Sequence, residues 1–499
     1  MPISIIDLFA GPGGLNEGFS RVIGPRDERL FNTLISVECD PAAHQTLSLR
    51  ALFRRLDESG RGAYRRYAAG SISRDELNLQ VGAAAAEAAS EALMARLGES
   101  EAVNRGIEER ISHALTKSGS KDFVLIGGPP CQAYSLVGRS RRSEERKTNQ
   151  AGFESDHKHT LYRQYLRIVQ KFRPVAFLME NVPGLLSARL KGQQTFELIC
   201  TDLRKAGYEL HALGRDEGAV GSTRDPREFV LHAEEHGVPQ KRSRVFILGV
   251  RSDLRLAPTK LAQLPGPEVT VESVIGDLPR IRSRLSKETD SGPLWEKAVR
   301  SMSVTAFRQL DSPLAASIQA RLRKISGGLP LGTRTMDRTA SPKVLRAWYQ
   351  DMALPFVLNH NSRGHMRSDL HRYLLWSEYG LLNGRSPTIS EVPHFFRPAH
   401  ENIVGNARDV PFADRFRVQI GNRASTTITS HISKDGHYYI HPDPTQCRSL
   451  SVREAARLQT FPDSYLFEGN ITEQYRQVGN AVPPLLAMQL GTMIAEMLA

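Results

Sequence analysis

The chain has 499 residues, 40% of them hydrophobic and 24% charged, which excludes a disordered or fibrous protein and leaves room for two folded units. Lys and Arg (66) outnumber Asp and Glu (54), and the net charge of +12 favours a polyanionic partner, most often nucleic acid. The four cysteines, Cys39, Cys131, Cys200 and Cys447, are too scattered for a zinc knuckle or a disulfide framework and fit a reducing, cytoplasmic setting.

In chain order, MPISIIDLFAG opens as a strand over residues 3–9 that enters a glycine turn. It has no basic leader and no long apolar run, so it does not read as a signal peptide. The apolar runs farther on, such as FVLIGG and VFILGV, are strand-sized and fall short of the ~20 residues of a membrane helix. A second run, LISVECD at 34–40, ends in an acid. A third, DFVLIGGPP, starts at Asp122, a fourth, VAFLMENVPG, at Val175, and a fifth, RVFILGV, at Arg244. Each is continuously apolar rather than alternating, as expected of strands buried on both faces of a parallel sheet. Helical periods lie between them at 159–172 and 195–208, and the alternation predicts a doubly wound α/β domain. Residues 50–121, with the alanine-rich VGAAAAEAASEALMARLGESEA, read as a helical insertion between the second and third strands. From about 255 to 445 prolines, arginines and histidines replace any period, which predicts a separate, loop-rich unit. From 448 helices return in SVREAARLQTFPD and PPLLAMQLGTMIAEML.

Gly11, Gly13 and Gly14 follow the first strand, where only glycine lets backbone approach a ligand. Their spacing is not GxGxxG, and Glu38 ends the second strand where it can hold ribose hydroxyls. Together they suggest an adenosine-containing cofactor without a pyrophosphate. GGPPC places Cys131 beyond a strand end on a stiff turn, a position suited to a thiolate nucleophile. ENV places Glu180 at the same sheet edge, and a carboxylic acid there can assist covalent attack. QKRSR sets Arg242 and Arg244 at alternate positions, where same-face guanidiniums can hold an anion or a carbonyl oxygen. The polar segment after Cys131 carries Arg139, Arg141 and Arg142. HAEEH at 232–236 matches a zinc motif in letters only, and no metal is expected. NHNSRGHMRSDLHRY at 359–373 lacks the acids or thiols of a metal site and reads as a DNA contact or as a structural part of the second unit.

The ordered set DLFAGPGGLNEGF, VECD, GGPPCQAYS, MENVPGLL, GVPQKRSRVFILG, RSLSVREAARLQTFPD and YRQVGNAVPPLLA resembles the DNA cytosine-5 methyltransferases of bacterial type. The resemblance implies a Rossmann-like, S-adenosylmethionine-dependent catalytic domain over 1–254, a smaller target recognition domain over 255–445, and a return into the first domain over 446–499. It implies that Cys131 attacks C6 of a flipped-out cytosine, that Glu180 bonds N3 and the exocyclic amine, and that Arg244 with Arg242 holds the O2 side. Cofactor contacts would come from Phe9, Gly11, Gly13, Gly14, Glu38, Pro130, Asn480 and Val482. DNA contacts would come from Gln132, Ser135, Arg139, Arg141, Arg142, Gln240, Arg363 and Arg367. The segment after Cys131 would be the family's mobile loop, with its arginines on phosphates.

The expected partner is double-stranded DNA bound by a monomer, with a restriction endonuclease of the same site or another DNA defence module as companion. A tRNA methyltransferase of the same fold is the alternative, although the long segment between Gly249 and Arg448 exceeds that relative's small second domain. Two departures stand out. No GD motif lies between the second and third strands, where the family has an acid near adenine, and Cys39 stands where an aromatic often contacts adenine.

Overall fold

The computed structural model describes residues 2–130, 161–190, 193–214, 225–302, 304–351, 354–398 and 415–499. β1 (Ile3–Leu8) leads through the glycine turn into α1 (Gly14–Phe19), then β2 (Phe31–Glu38) and α2 (Pro41–Phe53). α2 starts where Asp40 accepts the amide of Ala43 and Pro41 fills the first turn. There follow α3 (Glu58–Ala68), α4 (Arg74–Val81), α5 (Ala83–Glu91), β3 (Ala92–Met94), α6 (Glu101–Ser118) and β4 (Phe123–Gly127). Then come α7 (Leu161–Phe172), β5 (Ala176–Asn181), α8 (Thr195–Lys205), β6 (Tyr208–His211), β7 (Val230–His232) and β8 (Ser243–Arg251).

These strands form one eight-stranded sheet in the order β3-β2-β1-β4-β5-β8-β6, with β7 also paired to β8. The neighbours from β3 to β5 are parallel, and β8 runs antiparallel to its three partners. Every residue of β4 is buried, which is why its sequence is continuously apolar. Ile6, Leu8, Leu125, Phe177 and Ile247 pack under α6, α7 and α8 on one face. Ile5, Val124, Leu178 and Phe246 face the C-terminal helix on the other. This is the doubly wound fold expected.

The region 50–121 is not helical throughout. β3 lies inside it and pairs in parallel with β2, Ser36 opposite Ala92 and Glu38 opposite Met94. Ile107 and Ile111 of α6 join the core of the sheet. Three residues without a β-branched side chain carry no strand signal of their own; the neighbour β2 makes them a strand.

The second unit contains the antiparallel pair β9 (Gly332–Asp337) and β10 (Phe356–Asn361), and the helix α9 (Arg367–Asn383). α9 buries Leu370, Tyr373, Leu374 and Trp376 against Trp295 and Val299. NHNSRGHMRSDLHRY therefore forms the end of β10, a turn and the start of α9. Three of its histidines are internal: His360 bonds Ser451 and the Pro279 carbonyl, His365 bonds Ser449, and His371 bonds the Ala298 carbonyl.

The chain closes with α10 (Val452–Leu458), α11 (Ile471–Asn480) and α12 (Pro484–Leu498). α10 and α11 share a core with Val271, Tyr349, Val357, Ile428 and Tyr439 of the second unit, whereas Leu486, Leu490 and Ile494 of α12 pack on the sheet. The C-terminal helices thus pack both on the sheet and on residues drawn from 271–439. Arg448, Arg453 and Arg457 around α10 are fully buried. Arg448 forks onto Glu454, Arg457 onto Asp463 and Asp277, and Arg453 gives its N–H groups to carbonyls of Leu358, Pro462 and Tyr465. Pairing of this kind offsets the cost of taking these guanidiniums out of water. Ile471–Leu498 has the length and apolarity of a membrane span by composition, and 67% of its most apolar window is buried inside the protein.

Candidate active site

At the carboxyl end of β1, Phe9 takes a left-handed backbone (φ 57°), followed by Gly11 (φ 57°) and Gly13 (φ 96°). A bulky residue in that conformation marks a constrained site. The glycines do different jobs. A Cβ on Gly13 would lie 2.9 Å from Leu47, and one on Gly14 would lie 2.3 Å from the Val482 carbonyl oxygen. Those two let the turn close onto α2 and the C-terminal return. A Cβ on Gly11 would meet nothing within 4 Å, so Gly11 borders open space. The Tyr465 hydroxyl ties down the Pro12 carbonyl.

Glu38 ends β2 beside this turn. Its carboxylate accepts the Gly11 amide at 2.7 Å, the Cys39 amide at 2.8 Å and the Asp40 amide at 2.7 Å. Three amides fix its orientation while leaving lone pairs for hydroxyl donors. Asn480 is exposed at the end of α11, and Val482 is buried two residues on. The turn after β1 thus meets the end of β2 through Gly11 and Glu38 and the start of α12 through Gly14 and Val482. Burial and then Glu38 raise the pKa of the Cys39 thiol, which Arg96 opposes. Arg96 follows β3, and the sequence alone did not place it beside Cys39. Asp7 was also missed: it is buried, neither carboxylate oxygen has a hydrogen-bond partner, and burial followed by Glu38 raises its pKa well above the usual carboxylate range.

The second part of the site lies at the ends of β4 and β5. A Cβ on Gly128 would sit 2.9 Å from Glu180 Oε2, so glycine lets the GGPP turn pass against this carboxylate. Asn181 Nδ2 donates to the Pro129 carbonyl at 3.3 Å, and Pro130 is exposed at the tip. Cys131, Gln132, Ser135, Arg139, Arg141 and Arg142 lie outside the described residues. Glu180 Oε1 pairs with Arg244 Nε at 2.9 Å, the side chains being 13% and 14% exposed. Arg244 also donates to the Ser243 carbonyl. Burial lowers the Arg244 pKa, and Glu180 holds it up.

Arg242 does not join this pair, which corrects the expectation of two same-face arginines. The chain changes partners there: 240–241 pair with 425–426, and β8 begins at Ser243. Arg242 is 1% exposed and donates to the carbonyls of Ile428 and Ala481, each at 2.8 Å. It positions the segment that carries Asn480 and Val482. Replacing Arg242 by alanine is expected to destabilise the fold by about 1–3 kcal/mol for each carbonyl left unpaired, seen as a lower urea midpoint. Gln240 is likewise internal: its amide donates to Leu458 and Gln459 and accepts from the Ile428 amide, so it is not presented to DNA. Arg363 donates to the Ile432 carbonyl at 2.7 Å and stacks on Tyr475. Arg367 is exposed at the start of α9 and pairs with Glu288.

The family model for C-5 cytosine-specific DNA methylases matches residues 104–496. The chain belongs to this family. This methylase is 30% identical to the type II methyltransferase M.Bpa9945I of Bacillus paralicheniformis, over 97% of the chain and 96% of the relative. It is 26% identical to the type II methyltransferase M.DdeI of Desulfomicrobium norvegicum, over 99% of the chain and 88% of that relative. Among solved structures, its fold is similar to a prophage-encoded E. coli protein described as a DNA modification methyltransferase, with a TM-score of 0.52, 18% identity and 99% of both chains covered. The sheet of the methylase is therefore that of the S-adenosylmethionine-dependent methyltransferases.

Proposed function

We propose that this methylase transfers a methyl group to C5 of cytosine within a specific double-stranded DNA sequence, with Cys131 as nucleophile and the target base flipped out of the helix. The observation that carries the reading is the Glu180–Arg244 pair, set at the sheet edge directly against the turn that ends at Cys131. The Cys131 thiolate would form a bond to C6, and the electrons of the 5,6 double bond would make C5 nucleophilic. Glu180 would bond N3 and the exocyclic amine and so drain the charge created by attack. Arg244 holds Glu180 in place and would approach O2 on its other side. Loss of the C5 proton to a base would then expel Cys131 and restore the ring.

S-adenosylmethionine would supply the methyl group as an electrophile. The open space beside Gly11 and the amide-fixed Glu38 fit its adenosine, and Phe9, Pro130, Asn480 and Val482 would complete the pocket. Arg139, Arg141 and Arg142 would contact phosphates, and specificity would reside in 255–445, with Arg367 an exposed candidate. Its relatives' type II names support a role in protecting host DNA beside a restriction endonuclease of the same site.

The experiment is a trap. A duplex carrying 5-fluorocytosine at the target site is expected to form a covalent adduct with the enzyme and S-adenosylmethionine, because fluorine cannot leave as a proton. Absence of any adduct, with methylation of ordinary duplex intact, would overturn the covalent mechanism. Bisulfite sequencing of DNA from an expressing host supplies the target sequence, and labelled methyl transfer to plasmid but not tRNA fixes the substrate.

A further inference from the structure

A basic cavity lies at the opposite end of the sheet from the cofactor crevice. It has a volume of about 280 Å³ and is lined by Arg21, Arg29, Arg50, Arg54 and Arg61, with Glu17 and Asp351 as its carboxylates. Five guanidiniums thus face two carboxylates. Glu17 is already engaged, accepting from Arg50 and from Arg21, and Arg61 stands 3.6 Å from Asp351. Arg54 pairs with Glu91, a wall residue of the adjoining cavity, yet its Nη1 has no hydrogen-bond partner although the side chain is only 8% exposed. A buried donor without a partner calls for an explanation. Desolvation, and then the guanidiniums of Arg54, Arg50 and Arg61, lower the Arg29 pKa. Positive charge is concentrated here beyond what the protein itself neutralises.

Ser20, Arg29 and Arg54 also line a second cavity of about 660 Å³, whose wall includes Phe31, Leu34 and Ile35. The two cavities adjoin at Ser20, Arg29 and Arg54, and the larger has a mixed wall that also carries Arg55, Arg110, Lys117, Glu87 and Glu91. Guanidinium forks match phosphate oxygens in pairs, and the adjoining chamber has room for a nucleoside. We propose that these joined cavities bind a small molecule bearing a pyrophosphate group.

The site does not overlap the catalytic one. Arg29 precedes β2 and Arg54 follows α2, so both lie at the amino ends of the parallel strands. The six residues of β1 put Arg29 about 20 Å from the glycine turn, and the cavity comes nearest to that turn at Arg50, which stacks on the Tyr465 ring whose hydroxyl bonds the Pro12 carbonyl. Arg50 is 5% exposed, and Arg21 both donates to the Trp348 carbonyl and stacks on the Trp348 ring, so these two guanidiniums are not presented to a duplex. The walls of the arginine cavity come from α1, α2 and the loops beside them, from Arg61 of α3, from Gln350 and Asp351, and from Ser464, so a bound anion would tie together segments far apart in the chain.

The test is calorimetric titration of the full chain with inorganic pyrophosphate, uridine 5′-diphosphate and uridine. Both phosphates are expected to bind and uridine not to. Equal affinity for the two phosphates identifies the inorganic ion as ligand, and tighter uridine 5′-diphosphate identifies a nucleoside diphosphate. The double variant Arg29→Glu, Arg61→Glu should weaken phosphate binding at least about tenfold through lost charge-assisted contacts, with S-adenosylmethionine affinity unchanged. If it fails to fold, Arg29→Ala truncates one exposed rim side chain and is expected to weaken binding several-fold. No binding by wild type at millimolar phosphate, or variant binding equal to wild type, would overturn the proposal.

Discussion

Replacing Cys131 by serine is expected to abolish methyl transfer while S-adenosylmethionine still binds. A serine hydroxyl is scarcely ionised at neutral pH, whereas a cysteine thiol of ordinary pKa ~8.5 already supplies a few per cent of thiolate and is the stronger nucleophile. The proposed cofactor site takes in Phe9, Gly11, Glu38 and the segment before α12, whose contacts do not involve the thiol. The turn leading to Cys131 is held by its own contacts, Pro129 to Asn181 and Gly128 against Glu180, so the substitution leaves the approach to the site unchanged. Single-turnover methylation with labelled donor, alongside calorimetric cofactor binding, separates chemistry from binding. Methylation near the wild-type rate by Cys131→Ser would remove Cys131 from the mechanism.

The Glu180→Gln variant is expected to lose about 10²–10⁴-fold in single-turnover rate, the usual contribution of a positioned acid or base. Glutamine keeps the shape and can still accept from Arg244 through its amide oxygen, so the turn at Gly128 and the end of β8 should hold. What it loses is the charge and the proton-carrying capacity directed at the base. DNA affinity should fall far less than the rate, because phosphate contacts elsewhere supply most of the binding. A rate within a few-fold of wild type would show that another group meets N3.

Much of the catalytic half could be read locally. Continuous apolar runs at Ile3, Phe123, Ala176 and Val245 betray strands covered on both faces, since such strands have no wet side to require alternation. Glycines after β1 and the GGPP turn after β4 advertise strand ends where backbone bends sharply or passes a side chain. The sequence sets Glu180 and Arg244 at strand ends; that β5 and β8 are neighbours and pair the two side chains is decided by the fold. Arg242 shows where such reading stops. Alternate spacing predicts a shared face only while the strand continues, and here the chain leaves one partner at Lys241 and finds another at Ser243.

What the sequence by itself determined was the order of buried strands, the two sharp turns and the chemistry presented at them, because each depends on neighbours a few residues away. Tertiary structure alone decided the rest. It made a strand of Ala92–Met94 by laying it along β2, against the helical bias of the alanines before it. It left Asp7 buried without a partner, and it turned Gln240, Arg242 and Arg363 inward onto Leu458, Ala481 and Ile432. It gathered Arg21, Arg29, Arg50, Arg54 and Arg61 around one cavity and closed it with residues 350, 351 and 464. A polar side chain is satisfied by whichever carbonyl or carboxylate the packing brings within about 3 Å, and for these residues that group lies up to hundreds of positions away in the chain.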